Sequence, residues 1–419
     1  MIKKILLCFM IITVLTSCHP LTNEKTLQAI DNTSYEYSSI LNKDKSVIFF
    51  KQTVSFEEAY PESEIIEITN LCEDTSLQVV GIDDYGNIYY EKECQECNEP
   101  DVDVAEILRY NVIEEKWENI LKMQPHNHCN YIYSNEKYLL YMQDENYNWK
   151  RTSLHIYDLQ EKKDVRFFTH TRDKKTNSTY VWQFASPILI DDTVYFEDCS
   201  GMDEDNIYQS EIYSYDIKND KINKIASSSK GVMQYKGKPA WLEISKDKIN
   251  SLVYSTFDNK YLYKAITGNG SIYSAKDNLM VVNDYISIFD FNIIIKEDKK
   301  YLQNEYEVLP EFEKKRQISH YGIKKIENRE VSPILIAGYG GFATNVITNG
   351  NIVAWDGVGI GSPLIFNNEW DSIISFENVI KEDVFAYTVY LSENYLLLSY
   401  VNTNEFETAK EKIFLFKLQ

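Results

Sequence analysis

Tyr110-Asn111-Val112-Ile113-Glu114-Glu115-Lys116, Tyr157-Asp158-Leu159-Gln160-Glu161-Lys162-Lys163 and Tyr215-Asp216-Ile217-Lys218-Asn219-Asp220-Lys221 are three copies of one phrase. Each runs on to an apolar residue four positions past the lysine: Ile120, Phe167 and Ile225. The shared pattern is Y-[ND]-[VIL]-x3-K-x3-[IF], at offsets of 47 and 58 residues. The tyrosine and the aliphatic residue flank the Asn or Asp, which is the period of a strand. The polar x3-K segments read as hairpin turns. A second hairpin precedes each copy. Asp83 to Asn87 leads into Ile88-Tyr89-Tyr90, Ser134 to Lys137 into Tyr138-Leu139-Leu140-Tyr141, and Asp191-Asp192 into Val194-Tyr195-Phe196.

Working outward, similar turns are expected at Ser245 to Lys248, Ala275 to Asn278, Thr348 to Asn351 and Ser392 to Asn394. That makes seven hairpins at a mean spacing of about 51 residues. Four short strands per unit of this length predict an all-β fold, a β-propeller of antiparallel blades. Seven blades of four strands fit best, and six or eight satisfy the same pattern. The spacing is irregular over residues 255–330, where residues 305–319 read as a short helical excursion. The chain ends on Ile413-Phe414-Leu415-Phe416-Lys417-Leu418, which suits the third strand of a last blade. Ser46 to Phe50 is the expected source of the missing fourth strand.

Composition agrees with a large packed core. Hydrophobic residues make up 44 % of the 419 residues and aromatics 14 %, including 32 Tyr. In a propeller most of these rings belong between blades. Asp and Glu number 64 against 43 Lys and Arg, a formal charge of −21. Nucleic-acid binding needs clustered positive charge, so no nucleic-acid partner is expected.

The N-terminus reads as a processing signal. Lys3 and Lys4 precede an apolar stretch from Ile5 to Val14, followed by Leu15-Thr16-Ser17-Cys18. This resembles the lipobox of bacterial lipoproteins. The resemblance implies a signal peptide over residues 1–17 and acylation of Cys18 by palmitate-type chains. It places the protein on a membrane outside the cytoplasm, at the cell surface or in the periplasm. Residues 18–43 are then a lipidated, flexible tether, and residues 44–419 the propeller.

The layout of a polar turn, an aliphatic-aromatic strand and a Y-D-[VIL] strand resembles the TolB-like and prolyl-oligopeptidase-type propellers. No G-x-S-x-G elbow and no following α/β domain is present, so the peptidase half of the latter family is missing.

Chemistry-bearing residues gather where the B–C and D–A loops would emerge, naming strands A to D along each blade. Cys94 and Cys97 form a C-x2-C pair, and His126, His128 and Cys129 form H-x-H-C. Thiolates and imidazoles are the ligands zinc prefers. Disulfide formation in an oxidising compartment is the competing reading, and once the signal peptide with Cys8 is removed the five cysteines besides Cys18 leave one over. Asp203-Glu204-Asp205 offers hard oxygens for calcium but lacks EF-hand spacing. A resident cofactor is not expected. Gly357, Gly359 and Gly361 mark a loop free to present backbone to a ligand. The expected function is a non-catalytic binding or scaffold module for an envelope protein or glycan. The alternative is a hydrolase or lyase acting on polysaccharide or peptide at the propeller channel.

Overall fold

The repeated phrase encodes a side-chain-capped turn between the third and fourth strands of a unit. The Asn or Asp accepts the backbone N–H three residues on: Glu114 to Asn111 Oδ1 at 2.9 Å, Glu161 to Asp158 Oδ1 at 2.8 Å, Asn219 to Asp216 Oδ1 at 3.0 Å. The residue four positions on takes left-handed backbone, with φ of 53° at Glu115, 52° at Lys162 and 50° at Asp220. The aliphatic residue's N–H closes onto the neighbouring hairpin, as in Leu159 to Lys137 O at 2.9 Å and Ile217 to Asp192 O at 3.0 Å. A fourth copy sits at Asn367 to Asp371. Trp370 N donates to Asn367 Oδ1 at 3.0 Å, and Asp371 has φ 48°. Its sequence keeps the Asn but has lost the Tyr, the aliphatic residue and the Lys.

The computed structural model describes residues 27–29, 39–42, 45–49, 51–68, 77–92, 106–123, 128–144, 151–171, 187–202, 208–227, 229–244, 251–256, 261–266, 272–287, 293–295, 319–327, 330–337, 342–358, 363–381, 384–402 and 412–418. The fold is a β-propeller. Among the described residues four sheets are four-stranded and antiparallel, and a six-stranded and a nine-stranded sheet contain further groups of four strands; these groups are numbered as units 1 to 7 in chain order. Unit 1 is Leu77–Ile82, Asn87–Lys92, Glu106–Asn111 and Lys116–Lys122. Unit 2 is His128–Ser134, Tyr138–Asp144, Arg151–Asp158 and Lys163–Thr171. Unit 3 is Ile188–Ile190, Thr193–Met202, Tyr208–Asp216 and Lys221–Ser227. Unit 4 is Ser229–Tyr235, Lys238–Ile244, Ser251–Thr256 and Tyr261–Ile266. Unit 5 is Ile272–Lys276, Leu279–Ser287, Ser319–Glu327 and Glu330–Ala337. Unit 6 is Phe342–Thr348, Ile352–Val358, Leu364–Asn367 and Ser372–Ser375. Unit 7 is Val384–Leu391, Tyr395–Asn402 and Lys412–Lys417, completed by Ile65–Glu67 from the N-terminal side.

Apolar clusters fill the seams. Tyr89, Cys129 and Tyr141 lie between units 1 and 2, and Leu140, Phe167 and Phe196 between units 2 and 3. Trp355, Phe366 and Phe416 belong to the largest cluster, in units 5 to 7. Ile88, Tyr110 and Leu415 join units 1 and 7 and so close the ring. Buried and half-buried carboxylates add a second link. Glu91 Oε1 accepts Cys129 N at 2.7 Å, Glu197 Oε2 accepts Gly231 N at 2.7 Å, and Asp356 Oδ1 accepts Val389 N at 2.8 Å. Each tethers the second strand of one unit to the first strand of the next by a charge-assisted bond.

One expectation lies outside the described residues and one needs correction. A hairpin turn falls at Lys236-Gly237, with φ of 52° and 68°, and the turn expected at Ser245 to Lys248 lies outside the described residues. Two successive left-handed residues make a tight two-residue turn, which the search for longer polar clusters passes over. The ring-closing strand is Ile65–Glu67, paired with Phe414 to Phe416, and not Ser46 to Phe50. Lys45–Phe49 instead pairs with Leu335 to Ala337 on the outer strand of unit 5. That strand reads Val331-Ser332-Pro333-Ile334-Leu335-Ile336-Ala337, and an apolar edge of this kind needs a partner. Within the segment expected to be a tether, Leu27–Ala29 pairs with Ile293–Ile295, and Ser39–Asn42 with Lys45–Phe49. Residues 305–318 of the expected helical excursion lie outside the described residues.

Candidate functional site

Ring closure brings together turns that are some 300 residues apart. The Asp83–Asn87 hairpin of unit 1 folds around its own carboxylate. Asp83 Oδ1 accepts Tyr85 N at 3.0 Å and Asn87 N at 2.9 Å, and Oδ2 accepts Asn87 Nδ2 at 2.8 Å. Gly86 holds φ 78°, and a Cβ there would stand 3.1 Å from the Tyr395 ring of unit 7, so only glycine admits this contact. Asp84 locks the two units: Glu393 N donates to its Oδ1 at 2.7 Å and Asn394 Nδ2 to its backbone oxygen at 3.0 Å.

A cleft of ≈ 460 Å³ opens between these turns. Tyr85 and Tyr395 supply aromatic surface, and Ile113 an aliphatic one. Asn87, Asn111 and Asn394 supply amides. Asp84, Glu114 and Lys417 complete the lining. Ile113 is 77 % exposed and Tyr85 51 %. The Tyr85 phenol donates to Glu136 of unit 2. That bond comes first, ahead of burial and the charges of Asp83 and Asp84, in pushing its pKa up to about 12. Asn87 is only 7 % exposed, and its Oδ1 has no hydrogen-bond partner among the described residues. An orphaned buried acceptor of this kind costs about 1–3 kcal/mol.

Side chains of other units reach the same turns. Lys276 of unit 5 reaches Glu393 of unit 7 at 2.7 Å. Tyr133 of unit 2 is held above the usual phenol range, first by burial, with the charges of Asp84 and Glu393 adding to it and Lys276 opposing.

A serine–histidine–aspartate relay runs through unit 2. Ser153 Oγ is 3.0 Å from His155 Nε2, and His155 Nδ1 is 3.0 Å from Asp164 Oδ2. The connectivity is that of a hydrolytic triad. Its setting is not, because Ser153 is 0 % exposed and His155 stacks on the buried Tyr141 at 4.8 Å. A nucleophile sealed in a seam cannot meet a substrate carbonyl. The relay satisfies polar groups within the packing of units 1 and 2.

The loop face that gathers the sequence candidates is only partly described. Cys94, Cys97 and His126 lie outside the described residues, as do Gly359, Gly361 and Asp203-Glu204-Asp205. His128 opens the first strand of unit 2. Cys129 is fully buried in the seam of units 1 and 2, forms no disulfide among the described residues, and gives its N–H to Glu91. Gly357 is buried and pairs with Tyr387; a Cβ there would fall 2.2 Å from the Tyr387 ring. Its need for glycine is therefore met by packing. Two residues near the same face do meet. His170 Nδ1 of unit 2 is 2.6 Å from Asp198 Oδ1 of unit 3. Among the described residues no group of His, Cys, Asp and Glu is arranged to hold a metal ion.

Sequence reasoning identified the Asp83–Asn87 turn and Asn111 as turn elements but not the cleft. Its far wall comes from unit 7, and no local pattern records which units meet when a ring closes.

No protein-family model matches the sequence, and no curated protein is similar enough to count as a relative. Solved structures resemble its fold at low identity. An oligogalacturonate lyase from Vibrio parahaemolyticus shares 9 % identity at a TM-score of 0.44, over 94 % of this chain and 98 % of that one. TolB from Acinetobacter baumannii shares 10 % at 0.35, over 79 % of this chain and 63 % of TolB. A prolyl endopeptidase shares 8 % at 0.46, over 84 % of this chain but only 46 % of the enzyme. At this distance the likeness is one of shape and carries no function with it.

Proposed function

We propose that this chain is a lipid-anchored extracytoplasmic protein whose seven-bladed propeller binds an envelope protein or glycan without turning it over. Acyl chains on Cys18 hold it at the membrane, each buried methylene contributing about 0.8 kcal/mol. Among the described residues no helix is long and apolar enough to cross a membrane.

The observation that carries the binding reading is the cleft between units 1 and 7. It is open to solvent, mixes exposed aromatic and aliphatic surface with amides, and is braced by bonds from Asp83 and Asp84. Preformed, braced surfaces lose little entropy when a partner docks. The serine–histidine–aspartate relay, with its serine sealed in a seam, supports the non-catalytic reading.

Metabolic labelling with a palmitate analogue, followed by crosslinking in living cells, tests the proposal. Wild-type protein is expected to take up label and capture a defined partner or glycan. Cys18→Ala is expected to lose the label and most of the capture. Labelling that survives Cys18→Ala overturns the anchor. Capture of nothing beyond scattered neighbours overturns the scaffold.

A further inference from the structure

We infer that the cleft between units 1 and 7 is a binding site for an uncharged saccharide, an inference that rests on the binding reading above and names its ligand class. The argument is one of complementary chemistry. A sugar ring has an apolar C–H face and a rim of hydroxyls that both donate and accept. Tyr85, half exposed on one side of the cleft, offers a ring face for the first. Ile113 extends that apolar surface from the neighbouring turn. Asn111 brings an amide N–H₂ whose oxygen is already held by Glu114 N, and Asp84 and Glu114 bring one carboxylate oxygen each beyond those that hold Glu393 N and Lys116.

Asn87 supplies the second, independent observation. It lines the cleft, is nine-tenths buried, and its amide nitrogen is spent on Asp83 while its amide oxygen has no partner among the described residues. The oxygen is closed to solvent in the unliganded protein, so a ligand hydroxyl satisfies it and removes a standing cost only as the Asp83–Asn87 turn gives way to uncover it.

Other ligand classes fit less well. Glu114 is paired with Lys116 at the rim, Asp84 faces one lysine, Lys417, in the lining, and the chain carries a net −21, so a polyanion is repelled by the chain as a whole. An extended peptide would bind by adding a strand to a free sheet edge. The cleft is walled mainly by turns: Asp83 to Asn87 and Asn111 to Lys116 in unit 1, and Ser392 to Tyr395 in unit 7. It therefore offers little strand edge to extend.

The test is titration calorimetry on the full chain in detergent, with cellohexaose, maltohexaose and chitohexaose as neutral probes and hexagalacturonate as the anionic one. One neutral probe is expected to bind, and the anion at least tenfold more weakly. Tyr85→Ala is expected to weaken binding tenfold or more, and Ile113→Ser severalfold. Both residues are solvent-facing, so both variants fold. Ile222→Ala, an exposed apolar residue on unit 3, leaves binding unchanged. No binding of any neutral probe overturns the inference, and so does binding that Tyr85→Ala and Ile113→Ser leave intact. A protein captured in cells with no saccharide binding overturns the inference and spares the binding-module reading. Turnover of a bound saccharide upholds the inference and sinks the non-catalytic reading.

Discussion

The outer edges of units 1 to 3 and those of units 5 and 6 solve the same problem in opposite ways. In the first group the last strands carry charge: Lys116, Glu118 and Lys122 in unit 1, Lys163, Asp164 and Arg166 in unit 2, Lys221 and Lys224 in unit 3. Among the described residues none of these three strands has a neighbour on its outer side. In the second group the last strands are apolar, and the N-terminal segment covers them in turn. Lys45–Phe49 lies antiparallel on unit 5, and Gln52–Ser55 lies parallel on unit 6. Ile65–Glu67 then becomes the fourth strand of unit 7. Free strand edges invite association, so an edge is either charged or capped. The ring thus has a self-sufficient half and a strapped half.

The strap is anchored by one side chain above all. Ser55 caps a single helical turn, Phe56–Ala59, through a reciprocal pair of bonds with Glu58. That turn drives Phe56 into the seam of units 6 and 7, where it stacks on Phe376 at 4.8 Å and meets Phe416 edge-on at 5.0 Å. Phe56→Ala is expected to cost about 3–5 kcal/mol in urea unfolding. Trp117→Ala, on the charged outer strand of unit 1, removes a 41 % exposed ring that leans on Tyr90 and Tyr110 and is expected to cost about 1 kcal/mol. Equal costs would erase the distinction between the halves.

The second difference is read in association. Deleting residues 39–49 uncovers the strand Glu330–Ala337 and is expected to turn a monodisperse protein into a self-associating one by light scattering. Lys221→Val with Lys224→Val removes the charge guarding unit 3 and is expected to do the same without any deletion. A deletion variant that stays monomeric would show that unit 5 needs no cover.

The two halves also differ in how legible they are. Units 1 to 3 carry the full phrase, because a Tyr, an Asn or Asp and a Lys each hold a place in the same turn. Unit 6 retains only Asn367 and the left-handed Asp371, the two residues the turn itself requires. In the strapped half the hairpins at Ala275 to Asn278, Thr348 to Asn351 and Ser392 to Asn394 keep the period, but the covering strands are ordered by long-range pairing, which leaves no period in the sequence. Ile65–Glu67 is three residues long and follows Pro61, whereas Lys45–Phe49 looks more like a strand and plays the lesser role. Cys129 and Gly357 show the matching limit for sites. Each stood out as a reactive or permissive residue type, and each is buried in a packing contact with an adjoining unit.

Alkali should act on both halves, because burial raises the Tyr387 phenol of unit 7 as well as tyrosines of units 1 and 2. Burial, then the charge of Asp83, pushes the Tyr89 phenol up to about 12. Tyr141 is raised too, first by burial and then by Asp164. A phenol whose folded pKa exceeds its unfolded value contributes stability that is full below about pH 10. That stability is lost as the pH climbs toward 12. For Tyr89 the two-unit rise is worth about 3 kcal/mol. Stability measured between pH 9 and 12 is expected to fall in wild type and to fall less steeply in Tyr89→Phe. Parallel curves would remove Tyr89 from the account.

The smallest effect belongs to the strap and has the opposite pH sign. Burial opposes ionisation of Asp371, but hydrogen bonds from Lys325 and Lys51, at 2.8 Å and 2.7 Å, outweigh it and hold its pKa below the usual carboxylate value. Lys325 belongs to unit 5, Asp371 to the turn of unit 6 and Lys51 to the strap, so one carboxylate ties all three. A depressed carboxylate contributes stability that is present above its unfolded pKa of about 4 and is lost as the pH falls below that value. Asp371 is half exposed, so solvent screens the pair and Asp371→Asn is expected to cost about 1 kcal/mol or less at pH 7. Below pH 4 the wild-type and Asp371→Asn stabilities are expected to converge, because protonation removes the same charge that the substitution does. A gap that persists at pH 2.5 would mean that the Asp371 side chain acts by shape or by hydrogen bonding, and that charge does not hold the strap to units 5 and 6.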